Sequence, residues 1–233
     1  MRRLREAREL LKNREAVPLE GKHLVIDGLR WGLKPLYLFL SKEEPEILAL
    51  AEERGIFPIF IGERAMRSLS SLKTPPGELL LVAPPLWKEE DFSKIVVLEE
   101  VQDPINAGSI LRTAYCLGYH AVYTDTHSAH PFSSKTVRAS AGYSLRIPVF
   151  RVALPEKLKE WKGKKRILGT FPRRGHEPKP LREDFVLVFG NESRGISPQM
   201  SELVESRITI PMERGESLGV AASAAILLYL LRG

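Results

Sequence analysis

Residues 190–195 have the glycine spacing of a loop that could bind a phosphate group. The segment Gly190-Asn-Glu-Ser-Arg-Gly follows the apolar run 186–189, and Ser197 comes two places after its second glycine. This spacing is close to that of a P-loop, but Ile196 stands where a P-loop needs the lysine that binds the β- and γ-phosphates. No G-x-G-x-x-G segment opens a helix after a predicted strand either. The sequence therefore disfavours a nucleoside triphosphatase and a dinucleotide oxidoreductase.

The elements around this loop place it where α/β proteins bind ligands. Residues 186–189 form an uninterrupted apolar run, which predicts a strand covered on both faces of a parallel sheet. Ligands of such sheets lie at the carboxyl ends of the strands. Ser197 and Pro198 predict a short helix through about residue 204, and residues 208–212 predict another strand.

The last helix, predicted from about Ser217, is apolar nearly all the way round. A single buried face does not explain such a helix, so we expect both its own domain and a further surface to cover it. Small residues dominate its first half, which permits another backbone to approach closely. At about fourteen residues it is too short to cross a bilayer, and it is predicted to be a buried core helix.

Residues 94–150 predict the other half of the same domain. The run 95–98 predicts a buried strand, and Asp103-Pro104 predicts the start of a helix that continues to about Leu117, with Asn106 in its first turn and Arg112 further along. A strand at 121–124, a helix at 134–144 and a strand at 148–150 are predicted to follow. His127 and His130 have no second pair of ligands near them, and a zinc site needs three or four convergent ligands, so we predict no metal site.

Residues 1–93 predict a small α/β sandwich of their own. Helices are predicted at 2–14, from 28, at 44–54 and at 62–70, and strands at 23–27, 36–40, 57–61 and 78–83. The prolines near 75 and 84 indicate the end of this domain, and residues 87–93 are predicted to form a linker. No catalytic group of residues stands out in this part, so its predicted role is binding.

The composition indicates an ordinary globular protein, with 43% hydrophobic and 27% charged residues and a net charge of +6. Residues 1–93 are neutral overall, so residues 94–233 carry the whole excess. Residues 157–182 contain ten Lys or Arg and two Glu. This basic tract has two open interpretations, a contact for a polyanion or an ordinary solvated surface.

With one cysteine and an arginine-rich start that lacks an apolar signal core, the predicted location is the cytoplasm.

Three segments resemble, in order, the signature motifs of the SpoU (TrmH-type) RNA 2′-O-ribose methyltransferases, a family of the SPOUT class. They are Val101-Gln-Asp-Pro-Ile-Asn-Ala-Gly-Ser-Ile-Leu-Arg-Thr-Ala, then Gly190-Asn-Glu-Ser-Arg-Gly, and finally Ile210-Pro-Met with Ser217-Leu-Gly-Val-Ala-Ala. The resemblance implies a SPOUT domain at 94–233, with a parallel sheet and a deep trefoil knot. It also implies that residues 1–93 form a small domain like ribosomal protein L30e that binds RNA.

The resemblance also implies the cofactor and the site residues. S-adenosylmethionine would be the methyl donor, with Gly190, Ile210 and Leu218 in contact with it and Thr170 and Met212 lining its pocket. Without the resemblance, Ile210 and Leu218 would be interpreted as core residues. The implied catalytic positions are Asn106, Arg112, Glu192 and Ser217.

Arg112 would have two compatible roles, to orient and acidify the ribose 2′-hydroxyl and to bind the neighbouring phosphate, since a guanidinium group stays protonated and is a poor base. Two alternatives stay open beside these roles. Glu192 could hold Arg112 in place, and Asn106 could cap its helix.

One residue departs from the family pattern. Gly219 replaces the usual asparagine of the third motif, so the sequence leaves an RNA binder without transferase activity as the alternative to an active enzyme. The expected partners are RNA, with ribosomal RNA slightly favoured over tRNA, and a second copy of the chain that pairs through the C-terminal domain.

Overall fold

The computed structural model describes residues 2–233, which form two β-sheets with helices around them. The helices are α1 (Arg2–Lys12), α2 (Lys22–Arg30), α3 (Pro45–Glu53), α4 (Glu63–Arg67), α5 (Pro104–Cys116), α6 (Ser134–Ala139), α7 (Leu154–Trp161), α8 (Pro198–Ser201) and α9 (Val220–Leu231). The strands are β1 (Val17–Glu20), β2 (Pro35–Leu40), β3 (Ile59–Phe60), β4 (Glu78–Val82), β5 (Lys94–Leu98), β6 (Ala121–Thr124), β7 (Val149–Arg151), β8 (Arg166–Thr170), β9 (Phe185–Phe189) and β10 (Ser206–Ile208). The predicted α/β class is confirmed.

The first sheet has the strand order β1-β4-β2-β3 and is mixed. Strand β4 pairs antiparallel with both β1 and β2, while β3 adds to β2 in parallel. All five residues of β4 are buried, as expected for a central strand covered on both faces.

The prediction of a strand at 23–27 is wrong, because this segment belongs to α2. The strand lies earlier, at β1, and Gly21 turns the chain between the two with a φ of 97°. A short apolar run does not distinguish a strand from a buried helix by its periodicity. Packing decides for the helix here, because Val25 and Leu29 bury against the sheet and Gly28 lies against Leu19 and Leu80.

The second sheet has six strands in the order β10-β8-β9-β5-β6-β7, and all of its pairs are parallel. Helices α5 and α9 cover one face, and α7 and α8 cover the other. The central strands β5 and β9 are apolar and buried nearly throughout, as predicted from their uninterrupted runs.

Three predicted boundaries in this half are wrong. Helix α6 ends at Ala139 instead of 144, because Ala141 and Gly142 take φ values of 49° and 80° and a 3-10 turn follows. Strand β10 ends at Ile208 instead of 212, and α8 ends at Ser201. Strand β8 lies inside the basic tract and was not predicted. The early end of β10 leaves the following residues free to line a pocket.

Helix α6 joins the two sheets. Its Val137 packs into the core of the first sheet, while Ala139 lies so close to α5 that a Cβ on Gly108 would be 2.5 Å away. The buried carboxylate of Glu20 accepts hydrogen bonds from the hydroxyls of Ser71 and Ser134 at 2.8 and 2.7 Å. The two halves therefore share a packed, hydrogen-bonded junction.

Candidate cofactor site and adjoining groove

A cavity of about 320 Å³ lies at the carboxyl edge of the second sheet, where β10, β8 and β9 end. The segments after these three strands form its walls, and the first turns of α9 close it. The position is the one predicted for ligands of a parallel sheet. Seven of the nine residues singled out in the sequence line it: Thr170, Gly190, Glu192, Ile210, Met212, Ser217 and Leu218.

The glycine loop at the end of β9 folds back on itself. Asn191 and Gly195 exchange backbone hydrogen bonds of 3.0 and 2.9 Å. A Cβ on Gly190 would lie 2.2 Å from the carbonyl carbon of Gly195 and 2.3 Å from the nitrogen of Ile196. Gly195 has a φ of 70°, which glycine adopts without strain. The glycines are therefore required by close backbone contact and by a left-handed turn.

Residues just after β5 hold this loop in place. The backbone carbonyl of Glu100 accepts a 3.0 Å hydrogen bond from the side chain of Asn191, and its carboxylate is ion-paired with Arg194. The carboxylate of Glu99 accepts from the backbone nitrogen of Ser197 at 3.0 Å. Sequence reasoning missed these two glutamates, although their position directly after a buried strand was a usable signal.

Asn106 and Glu192 meet across the edge of the pocket. The side-chain nitrogen of Asn106 donates a 3.1 Å hydrogen bond to Oε1 of Glu192. The cap of α5 is Asp103, whose carboxylate accepts from the backbone nitrogen of Ile105. The capping alternative for Asn106 is therefore wrong. Within one chain, Glu192 bonds to Asn106 and has no hydrogen bond or ion pair with Arg112 among residues 2–233.

Arg112 lies outside the pocket, in a groove between α5 and α9 that we call the apolar groove. Its walls are Arg112, Thr113, Cys116, Leu117, Ala225, Ile226, Tyr229 and Leu230. Three of the apolar side chains are well exposed, with Tyr229 at 56%, Leu230 at 38% and Ile226 at 37%. Arg112 has no hydrogen-bond or ion-pair partner within residues 2–233. The tertiary structure thus separates Arg112 from the other candidate catalytic residues.

Further pocket residues were absent from the predicted set. Phe171 and Pro172 follow Thr170 in the wall after β8, and Ser223 of α9 contributes a hydroxyl. Phe171 could have been inferred from its place beside Thr170. Ser223 belongs to a helix that the sequence presents as a uniform apolar element.

The two histidines of the loop after β6 do not converge with other ligands. Across residues 2–233, no group of three or more His, Cys, Asp or Glu side chains is arranged to hold a metal ion. Burial, together with the charges of Arg151 and Arg14, lowers the pKa of His130 to about 4. His130 is therefore neutral at physiological pH, and its Nδ1 accepts a hydrogen bond from the backbone nitrogen of Phe132.

The basic tract divides into two parts with different surroundings. At the amino end of β8, Lys165 is buried between Asp91 and Asp184, and Arg166 pairs with Glu183. Lys157 pairs with glutamates as well. The cations after the carboxyl end of β8 have no carboxylate partner in the described chain.

The pocket suits an adenosine-containing cofactor such as S-adenosylmethionine. Its volume lies in the range typical of small-ligand sites. Apolar side chains such as Ile210 and Leu218 can cover the faces of an adenine ring, while loop backbone groups can bind its polar edge. Glu192 adds a negative charge that complements a sulfonium cation.

Comparisons with known proteins identify the family of this chain. The SpoU rRNA Methylase family model matches residues 93–229, which is more than half of the chain. The 23S rRNA (guanosine(2553)-2′-O)-methyltransferase RlmP of Bacillus subtilis is 33% identical over 221 residues, with 92% of this chain and 88% of that protein covered. A putative RNA methyltransferase of the TrmH family from Porphyromonas gingivalis has a TM-score of 0.80 at 29% identity, covering 97% of this chain and 94% of the other.

A further solved structure supports the fold. The SpoU methyltransferase AviRb from Streptomyces viridochromogenes, in complex with AdoMet, has a TM-score of 0.83 at 22% identity. The aligned region covers 97% of this chain and 95% of AviRb.

Fold and site together define an α/β protein with a small-ligand pocket at the carboxyl edge of a parallel sheet. The chain belongs to the SpoU rRNA methylase family. The family predicted from the three sequence motifs is thereby confirmed. The predicted enzyme class, an RNA methyltransferase, is that of this family, and this prediction is confirmed. Separately, none of the helices within residues 2–233 combines the length and apolarity that a membrane crossing needs.

Proposed function

We propose that this protein transfers the methyl group of S-adenosylmethionine to a ribose 2′-hydroxyl of RNA, and that its substrate is ribosomal RNA. The observation that carries the proposal is the convergence on a single cavity of Gly190 from the second motif with Ile210 and Leu218 from the third. Two curated relatives support ribosomal RNA as the substrate: RlmP, and the 23S rRNA (uridine(2479)-2′-O)-methyltransferase of Streptomyces viridochromogenes, which is 28% identical over 260 aligned positions. A cytoplasmic location follows from such a substrate.

The protein's part in this reaction is chiefly positioning. When bound, S-adenosylmethionine supplies an electrophilic methyl group on a sulfonium centre. The closed glycine loop and the wall at Ile210 and Met212 orient the cofactor and exclude water from it. Asn106 and Glu192, joined by their hydrogen bond, place polar groups at the mouth of the pocket, where the ribose would enter. Ser217 lines the same cavity.

The proposed role of Arg112 requires a second copy of the chain. Arg112 is absent from the pocket of its own chain and lies in the apolar groove, whose wall on α9 is exposed. We propose that a homodimer forms over this groove, which supplies the further cover that the sequence predicts for the last helix. At this interface Arg112 would bind the RNA phosphate and orient the 2′-hydroxyl, which has to lose its proton during transfer.

Residues 1–93 are proposed to capture the RNA as an L30e-like domain, while residues 94–233 carry the transfer site with the knotted topology of the SPOUT class. The shared junction through α6 supports a fixed placement of one unit on the other, because Glu20 is buried there among hydroxyl donors from both.

A transfer assay tests the proposed function. Purified protein is incubated with methyl-labelled S-adenosylmethionine and, separately, with unmodified ribosomal RNA and tRNA, and the products are digested to nucleosides. We expect label in a 2′-O-methyl nucleoside from ribosomal RNA. Label only from tRNA would reject the ribosomal substrate. No label from either RNA, with cofactor binding shown by calorimetry, would favour the alternative of an RNA binder without transferase activity, to which Gly219 points.

A further inference from the structure

The loop after β8 carries two neighbouring arginines beside the cofactor pocket. Phe171 and Pro172 line the pocket, and Arg173 and Arg174 follow them directly. Both arginines are exposed, and neither forms an ion pair or side-chain hydrogen bond with any part of the chain that the structure describes. Unpaired guanidinium groups at the edge of a site are available for an anionic ligand.

This loop is fixed to the sheet. Three backbone hydrogen bonds tie it to β10 and the residue after it: Phe171 donates to Ile208 at 2.9 Å, His176 donates to Arg207 at 2.8 Å, and Thr209 donates to His176 at 2.9 Å. A Cβ on Gly175 would lie 2.8 Å from the backbone carbon of Ile208, so the two chain segments are in direct contact. The arginines are therefore presented from an anchored backbone.

Arg174 takes a conformation that is unfavourable for its residue type. Its φ of 60° lies in the left-handed region, which costs a non-glycine residue about 1 kcal/mol. Such strain is typical of ligand clamps, where the neighbouring structure imposes it. A glycine would adopt this conformation without that cost, and the chain has one at the next position, Gly175. Nothing in the packing of this exposed side chain explains why arginine occupies position 174.

The rest of the basic tract provides the contrast. Lys165 and Arg166, at the opposite end of β8, are held by Asp91, Asp184 and Glu183. Those three acidic residues are therefore engaged away from the loop. Glu177 is the one acidic residue between Phe171 and Arg182. Other unpaired cations of the tract lie on α7 and in the segments around β8, but Arg173 and Arg174 are the two that directly follow pocket-lining residues.

We propose that Arg173 and Arg174 form a clamp for the RNA backbone, binding phosphate groups next to the nucleotide that is methylated. This inference rests on the proposed function, which makes RNA the substrate at this pocket. An anchored loop loses little conformational freedom on binding, so two guanidinium groups held this way are preorganised for phosphates. The clamp contacts the backbone and reads no base, so it contributes affinity and register.

The test measures RNA binding as a function of salt. A fluorescein-labelled RNA hairpin is titrated with the wild-type protein and with the variant Arg173→Ala/Arg174→Gly, in which glycine suits the left-handed position and preserves the loop. If each arginine neutralises one phosphate, the slope of log K against log[salt] should become smaller by about 1.4 to 1.8. The affinity of the variant for S-adenosylmethionine, measured by calorimetry without RNA, should be unchanged.

A matched control comes from the same tract. Lys159 and Lys162 are exposed, lie on or just after α7, and have no ion-pair partner within residues 2–233. The variant Lys159→Ala/Lys162→Ala removes the same net charge and should keep the wild-type slope. A second variant, Arg173→Lys/Arg174→Lys, retains the charges and should retain most of the slope.

Three outcomes would overturn the clamp. An unchanged slope in Arg173→Ala/Arg174→Gly would show that these arginines do not neutralise phosphates. An equal decrease in the control variant would reduce the effect to net charge. Weaker binding of S-adenosylmethionine would assign the arginines to the carboxylate of the cofactor. Because these readouts need no methyl transfer, a protein without transferase activity would reject the proposed function while leaving the clamp open to confirmation.

Discussion

The two faces of α9 differ in how well the rest of the chain covers them. On one face, Val220, Ser223 and Leu227 close a cavity whose walls all come from one chain. On the other face, Ile226 and Tyr229 line the apolar groove and remain exposed. The candidate cofactor pocket is thus lined by residues of several segments of one chain, while the apolar side chains beside Arg112 remain exposed. We therefore expect cofactor binding to survive in a monomer and methyl transfer to require a second copy.

Removal of the Arg112 side chain should have the largest effect and tests the functional half of this comparison. We expect Arg112→Ala to lower the rate of methyl transfer on the order of 100- to 1000-fold, because a charge-stabilising donor near the ribose is lost. Its affinity for S-adenosylmethionine should stay at the wild-type value, since Arg112 is not part of the pocket wall. Single-turnover kinetics and calorimetry measure the two quantities. A fully active Arg112→Ala protein would contradict the assignment.

A charge in the apolar groove tests whether a second copy covers it. Ile226→Glu should prevent dimerisation, since a buried unpaired carboxylate costs several kcal/mol, and should abolish methyl transfer while cofactor binding persists. Sedimentation velocity measures the change in mass. The control is Leu86→Glu, which places the same charge at an apolar residue that is 97% exposed and outside the groove. A wild-type protein that sediments as a monomer at assay concentration would rule out the dimer.

Substitution at Gly190 should disturb the candidate cofactor pocket, which lies on the covered face of α9. In Gly190→Ala, the added Cβ would meet the backbone of Gly195 at 2.2 Å, so the glycine loop must shift. Overpacking of this kind costs about 1 to 3 kcal/mol, and we expect cofactor affinity to fall about tenfold or more. Calorimetry with S-adenosylmethionine measures the loss, and sedimentation should show that the dimer remains. Wild-type cofactor affinity would mean that the loop does not shape the pocket.

The smallest effect is expected at Gly219, where α9 begins between the two faces. A Cβ there meets nothing within 4 Å, and the position is the N-cap of α9 with no side-chain cap. We expect Gly219→Asn to fold and to stabilise the protein by a few tenths of a kcal/mol, because asparagine caps helices better than glycine. Thermal unfolding measures this gain.

The rate of methyl transfer by Gly219→Asn shows whether the site accepts the asparagine that is usual in the family. A rate at or above that of the wild type would show that the family's amide is compatible with this site. A strong decrease would show that RNA or ribose uses the open space beside Gly219, which would make the natural glycine a determinant of substrate fit.

Sequence motifs predicted the contents of the pocket well but not the place of Arg112. Gly190, Ile210 and Leu218 lie within two residues of the end of a strand or the start of a helix, so their positions follow from the rule that loops at one sheet edge meet. Arg112 lies on α5 beyond the first turn, and its side chain turns to the groove with α9. Which face of a helix meets which neighbour depends on packing that spacing alone does not specify.

Local sequence was sufficient to predict the buried parallel strands, the helix starts at Asp103 and Ser197, the glycine loop and the family. These features depend on local chemistry: apolar runs, capping side chains, and glycines that leave room for backbone contact. Tertiary packing was needed to establish that residues 23–27 are helical, that Asn106 pairs with Glu192, and that Lys165 and Arg166 are ion-paired while Arg173 and Arg174 are not. Those outcomes depend on contacts between residues far apart in the chain, and the energy of such contacts exceeds local preference.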